Sequence, residues 1–139
     1  MKRPRVERQK NLADLVAKYA STRAPAVRTL VRRTLGTDLA DGYTTVAQAD
    51  ELVRLLVLRP GNRLLDLGAG RGWPGVHLAA ETDCLLVSTD LTLEAVNWAK
   101  DSVRAGNLRA EPMTLAADGT TLPFRAGVFN AVVHADVLC

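Results

Sequence analysis

Leu64-Leu65-Asp66-Leu67-Gly68-Ala69-Gly70-Arg71-Gly72 is the stretch whose reading decides the fold. A short apolar run passes through one carboxylate and ends in three glycines at alternate positions. Such a run followed at once by glycines reads as a buried parallel strand turning sharply into a helix. Glycines here omit the Cβ atoms that would hold a ligand away from the main chain. The expectation is a polar pocket at the carboxyl end of the strand, lined by N–H groups of the following helix.

Two kinds of ligand compete for this loop. Gly70-Arg71-Gly72-Trp73-Pro74-Gly75 fits the G-x-G-x-x-G spacing, which brings in a dinucleotide and an NAD-dependent oxidoreductase. Asp66 argues against it, because a carboxylate at the strand tip repels a pyrophosphate on a helix N-terminus. The same carboxylate suits an ammonium or sulfonium group, so a cationic nucleoside fits better than NAD.

Leu65 through Gly72 resembles the first motif of class I S-adenosylmethionine-dependent methyltransferases, and three later segments follow in that family's order. Leu86-Val87-Ser88-Thr89-Asp90-Leu91 resembles the second strand with its ribose-binding acid. Ala116-Ala117-Asp118-Gly119-Thr120-Thr121-Leu122-Pro123-Phe124 resembles the segment beside the adenine. Val128 through Leu138 resembles the fourth strand. The resemblance implies an α/β, Rossmann-like parallel sheet of order 3-2-1-4, truncated from a seven-stranded fold, with N-terminal helices. It further implies S-adenosyl-L-methionine as cofactor. Asp66, Gly68, Ala69, Gly70 and Gly72 would hold its methionine part, Asp90 its ribose, and Leu91, Asp118 and Gly119 its adenine. His134 and Ala135 would lie where relatives meet the methionine end and the acceptor. No catalytic residue is assigned; His134 is a candidate by position only, and a structural histidine is the plainer reading. Leu122-Pro123-Phe124 and His134 through Leu138 resemble the branch acting on small molecules, so a small-molecule acceptor is favoured over nucleic acid. A non-catalytic cofactor-binding or remnant module working through a partner is the alternative.

Composition sets the outer limits. The 139 residues, 47% hydrophobic and 24% charged, are those of one ordinary globular domain with no membrane-spanning run. The N-terminus has no apolar signal region, and Cys84 and Cys139 are too few for a disulfide framework or a metal site. A cytoplasmic protein is expected. Charge is uneven: residues 1–35 hold ten basic side chains against Glu7 and Asp14, a net +8, while the remainder carries −5. This arm is either a solvated helical face or the seat of an anionic partner.

Residues 1–44 are expected to form a basic helical arm or lid, and 45–139 the cofactor-binding domain. Residues 1–10 read as a loose segment. Asn11 would cap a helix with Leu12, Leu15, Val16 and Tyr19 on one face, and a second helix would run from Pro25 to Gly36. Tyr43, in the loop that follows, would either contact ligand or pack at the start of the next helix. Thr45 and Gln48 form a capping box, and Arg59-Pro60-Gly61 stops that helix. Trp73 reads as a packing residue, Trp98 as a packing or surface residue, and His77 as structural. Leu85–Thr89 reads as the second strand, 92–105 as a helix ended by Gly106, and Glu111–Ala116 as the third strand. Asn130 stands where relatives have Asp, a matter of local structure. Phe129, Val132, Val133, Val137 and Leu138 would make strand four a long apolar edge. Such an edge should be covered by a second chain, or the sequence is a truncated copy of a longer protein.

Overall fold

A computed structural model describes residues 5–137. The elements run α1 (Arg5–Ser21), α2 (Pro25–Leu35), α3 (Val46–Leu56), β1 (Arg63–Leu67), α4 (Gly75–Thr82), β2 (Leu85–Asp90), α5 (Leu93–Ala105), β3 (Met113–Ala116) and β4 (Ala131–Val133). The four strands form one parallel sheet in the order β3-β2-β1-β4, as expected. Strand β1 is central, pairing Leu65 with Val87 on one side and with Val132 on the other.

Burial follows from that position. Leu64 of β1 and Leu86 of β2 are buried, and α4 turns Val76, Leu78 and Ala79 into the same core, while Leu65 is buried on the other face of the sheet. Ala40, Ala49 of α3, Leu58, Trp73, Cys84 and Val133 complete the cluster, with Val46, Val53 and Leu56 packed at its margin. Each fully buried aliphatic side chain contributes about 1.5–3 kcal/mol, enough to fix β1 between its neighbours.

Local signals explain the ends of several helices. Pro25 stands in the first turn of α2, and Gly36 closes it at φ 82°, donating its N–H to the Arg32 carbonyl. The capping box of α3 is complete: Thr45 Oγ1 accepts from the Gln48 N–H, and Gln48 Oε1 accepts from the Thr45 N–H.

Other boundaries differ from expectation. Helix α1 begins upstream of Asn11, because Arg, Glu, Gln and Lys propagate a helix well in water and no Gly or Pro interrupts 5–10. The Tyr19 side chain and Leu138 lie outside the described residues. Helix α3 ends at Leu56, where Val57 takes φ 50°, before the Arg59-Pro60-Gly61 turn is reached. Gly106 stays in the right-handed helical region, and Asn107 at φ 49° makes the turn after α5. Strand β3 starts at Met113, the first residue with a partner on β2. Strand β4 is much shorter than its apolar sequence: it spans three residues, and Asp136, at φ 58°, turns the chain back over the sheet. Its edge is therefore brief, with Val132 54% exposed. Asn130 explains its own identity. It exchanges hydrogen bonds with Arg63, its N–H to the Arg63 carbonyl at 2.9 Å and its Oδ1 accepting from the Arg63 N–H at 2.8 Å, which registers β4 on β1.

Leu78→Ala should lower unfolding free energy by about 2–5 kcal/mol in urea titration. Leu30→Ala, on the exposed side of α2, should change it by less than about 0.5 kcal/mol.

Candidate functional site

The site is built at the carboxyl ends of β1 and β2. Gly68, Gly70 and Gly72 have φ of 70°, 54° and 94°, the left-handed region that β-carbon-bearing residues avoid. At Gly68 the need is also steric, since a Cβ would sit 2.5 Å from Val137 Cγ2. The loop is tied to β2 by its own amides. Gly68 and Ala69 both donate to the Thr89 carbonyl, at 2.8 and 2.9 Å, and Gly70 donates to Asp90 Oδ2 at 3.0 Å. Gly72 donates to Ala69, and Gly75 to Asp66 Oδ2 at 3.0 Å.

These bonds correct one expectation. The N–H groups of Gly68, Ala69, Gly70, Gly72 and Gly75 are engaged inside the protein and do not line a pocket. A phosphate needs such donors turned outward. The loop instead sets two carboxylates behind a closed amide turn.

Asp66 is fully buried beneath the start of α4, where a Cβ on Gly75 would overlap its carboxylate. Its Oδ1 is buried with no partner. Desolvation raises its pKa to about 7, against the Gly75 hydrogen bond, and the charge of Asp90 adds to the rise. The side chain thus faces the helix start rather than open solvent.

Asp90 stands at the tip of β2, almost wholly buried. Its Oδ1 accepts from the Thr92 N–H at 3.1 Å and lies 3.4 Å from Thr92 Oγ1. Thr92, not Asp90, caps α5 through the Ala95 N–H. Leu91 beside it is exposed. Asp118 Oδ1 accepts from the Thr120 N–H and hydroxyl, an Asx-type turn, and the neighbouring Ala117 N–H donates to the Asp90 carbonyl. Gly119 lies over Leu67 of β1, 3.3 Å from Cδ1 to an added Cβ. Phe124 packs edge-to-face on Phe129, their centroids 4.9 Å apart. The strand tips therefore bring Asp66, the glycine loop, Asp90 and Asp118 into one neighbourhood. His134 follows β4 directly and is exposed, without a hydrogen-bond partner among the described residues.

A second layer was not legible in the motifs. Asp41 Oδ1, from the loop after α2, accepts from Arg28 Nη1 at 3.3 Å and from Arg71 Nε at 3.2 Å. Arg28 also donates to the Ala40 carbonyl; burial, then the nearby Arg71 charge, lower its pKa. Arg71 and Arg23 lie over the Trp98 ring, at 4.3 and 4.7 Å from its centroid. Trp73 Nε1 donates to the Thr44 carbonyl at 2.9 Å, and the Tyr43 N–H to Asp136 Oδ2 at 2.8 Å. Trp73 is thus both core and anchor for this loop. Tyr43 does not pack at the start of α3; its side chain is 84% exposed. His77 is structural, 2.7 Å from Asp50 Oδ1 and against Trp73. The one signal pointing to this layer was Arg71, a cation placed inside the glycine turn. Among the described residues no group of three His, Cys, Asp or Glu side chains converges as a metal site would require.

Comparison with known proteins agrees with this geometry. A family model described as a methyltransferase domain matches residues 64–139. The chain is 30% identical over 88 residues to 27-O-demethylrifamycin SV methyltransferase of Amycolatopsis mediterranei, covering 63% of this chain and 32% of that protein. It is 40% identical over 79 residues to demethylmenaquinone methyltransferase of Corynebacterium urealyticum, covering 57% and 30%. It spans about a third of the length of these relatives. The fold is also that of a methyltransferase from Thiobacillus denitrificans solved with S-adenosyl-L-homocysteine, at TM-score 0.53 and 22% identity over 64% of this chain and 36% of the other.

Asp66 gives a pH test. Its folded pKa lies above the unfolded value, so its contribution to stability is fully present below about pH 4 and is lost as pH rises to about 7. In urea titrations across that range, wild type should lose stability relative to Asp66→Asn, by at most about 4 kcal/mol. A pH-independent difference would place the Asp66 charge in solvent.

Proposed function

The chain belongs to the methyltransferase domain family, and from that premise we propose that it binds S-adenosyl-L-methionine and serves methyl transfer to a small-molecule acceptor. One observation carries the reading: the loop amides are donated internally while Asp66 and Asp90 stand behind them. That arrangement disfavours a pyrophosphate and favours a cationic nucleoside.

The residues present fit that cofactor. The Gly68, Ala69, Gly70 and Gly72 turn would lie against the methionine part, with the unpartnered Asp66 Oδ1 as the buried acceptor behind it. Asp90 would meet the ribose, since a carboxylate is the side chain that can accept from two neighbouring hydroxyls at once. Leu91 would give the adenine an apolar face, with Asp118 and Gly119 at its edge. When bound, the cofactor supplies an electrophilic methyl group. The protein's part is alignment, which contributes about 7–11 kcal/mol in well-oriented reactions. His134 would lie at the acceptor end, where its imidazole is the candidate, by position, to take a proton from the acceptor.

The lid reading of residues 1–44 is supported by the Asp41–Arg71, Thr44–Trp73 and Tyr43–Asp136 contacts, which tie residues 41–44 to the glycine loop and to the turn after β4. A small acceptor is supported by the Leu122-Pro123-Phe124 segment and by relatives named for demethylrifamycin and demethylmenaquinone. Nucleic acid is the less favoured acceptor. The open edge of β4, with Val132 exposed, is where self-association would occur. A cytoplasmic setting accords with the buried free thiol of Cys84. Among the described residues no helix is long and apolar enough to cross a membrane. The second reading, a cofactor-binding module completed by a partner, draws on the chain's spanning only about a third of the length of its relatives.

Calorimetric titration of S-adenosylmethionine and S-adenosylhomocysteine tests the reading. Saturable binding is expected, weakened about tenfold or more in Asp90→Ala, the loss of a hydrogen-bonded charge being worth about 1.5–3 kcal/mol. Tighter binding of NADH would replace the reading. Cofactor binding without transfer to any acceptor would favour the module.

A further inference from the structure

We propose that residues 41–44 form a strap across the carboxyl ends of β1 and β4 that opens as one unit, with the Asp41 carboxylate as its latch. Its opening gates the passage of S-adenosylmethionine, and this gating rests on the cofactor reading above. The stretch is fastened at successive residues to two neighbouring strands' exits. After β1, Asp41 Oδ1 accepts from Arg71 Nε and the Thr44 carbonyl accepts from Trp73 Nε1. After β4, Asp136 Oδ2 accepts the Tyr43 N–H. Gly42 lies so close to this carboxylate that an added Cβ would sit 1.8 Å from Oδ2. Strands β1 and β4 are adjacent in the sheet, so residues 41–44 bridge the two exits. The glycine turn does not depend on the strap, because its amides are held by β2 and by its own main chain.

Asp41 decides whether the strap holds. Its Oδ1 also accepts from Arg28 of α2, so one oxygen joins a cation of the N-terminal segment to a cation of the glycine loop. Arg71 is fixed on the body of the protein, 4.3 Å over the Trp98 ring of α5. Side-chain exposures of 15% for Arg28, 17% for Arg71 and 10% for Asp41 keep water from screening the group. Without the carboxylate the Arg28 and Arg71 charges repel each other across this joint, with Asp38 acting more weakly on Arg28 than Asp41 does. The closed form is also incompletely satisfied, since Arg28 Nη2 and Asp41 Oδ2 are buried without a hydrogen-bond partner. Water reaching both atoms on opening offsets part of what the latch contributes, which brings the open and closed forms nearer in energy.

Hydrogen exchange of the ligand-free chain, read by NMR, tests the strap. Asp41→Ala should speed exchange of the Tyr43 amide and of the Trp73 indole N–H by a common factor, about tenfold or more, as expected for loss of a charged hydrogen bond. Gly42→Ala should do likewise, since its methyl displaces the Asp136 carboxylate from the Tyr43 N–H. Glu51→Ala, which breaks an exposed ion pair with Arg54 on α3, should change neither. The Leu78 amide chemical shift should stay as in wild type throughout, which separates strap release from unfolding. Stopped-flow binding of S-adenosylhomocysteine then reads the gate. Asp41→Ala should raise the association and dissociation rates by similar factors and leave Kd little changed, because both rates scale with the open population. Unchanged exchange in Asp41→Ala, or faster exchange at Tyr43 without Trp73, would overturn the strap. Faster exchange with unchanged S-adenosylhomocysteine rates would overturn the gate. Failure of wild type to bind S-adenosylmethionine or S-adenosylhomocysteine would overturn the cofactor reading and the gate together, while exchange decides the strap by itself.

Discussion

One carbonyl oxygen organises the site. Thr89 O accepts the N–H groups of both Gly68 and Ala69, so the chain leaving β1 is pulled onto β2 as soon as the strand ends. Asp90, the next residue, takes the Gly70 N–H and extends the same seam. The turn is thus held by β2 rather than by a ligand, and it holds its shape through main-chain groups that no side-chain substitution in the loop removes. Only residues able to take positive φ follow this path, which is the physical demand behind the alternating glycines.

Closing the loop amides has an electrostatic effect. An outward-facing amide cluster would present partial positive charge to an anion. Here Asp66 and Asp90 stand behind the turn, close enough that the Asp90 charge helps to raise the Asp66 pKa. Arg71 provides the balancing cation, but it is turned away to Asp41 and Trp98.

Much of the fold was legible because its signals are local or periodic. The apolar run into glycines gave β1 and its turn, the Thr45–Gln48 spacing gave the start of α3, and Gly36 the end of α2. The strand order followed from the family resemblance rather than from any periodicity. The errors have a common cause. Strand β4 looked long because apolar residues continue past Val133, yet Asp136 turns the chain so that Val137 lies on Gly68 instead of on a neighbouring strand. Such long-range packing leaves no period in the sequence. In the same way Asp41, Arg71 and Trp98 are separated by 30 and 27 residues along the chain, and only the folded chain brings them together. Asp66 stands out in the motif, but its burial beneath Gly75 depends on where α4 starts, which its own neighbours do not reveal.

The way residues 43 and 44 are fastened has an evolutionary consequence. Tyr43 is held by its main-chain N–H and Thr44 by its carbonyl, so neither anchor uses the side chain at its own position. The tyrosine ring projects into solvent from a backbone that is already secured. Substitution at position 43 can therefore drift without loosening the segment. Position 43 is in that sense a variable tooth on a fixed jaw.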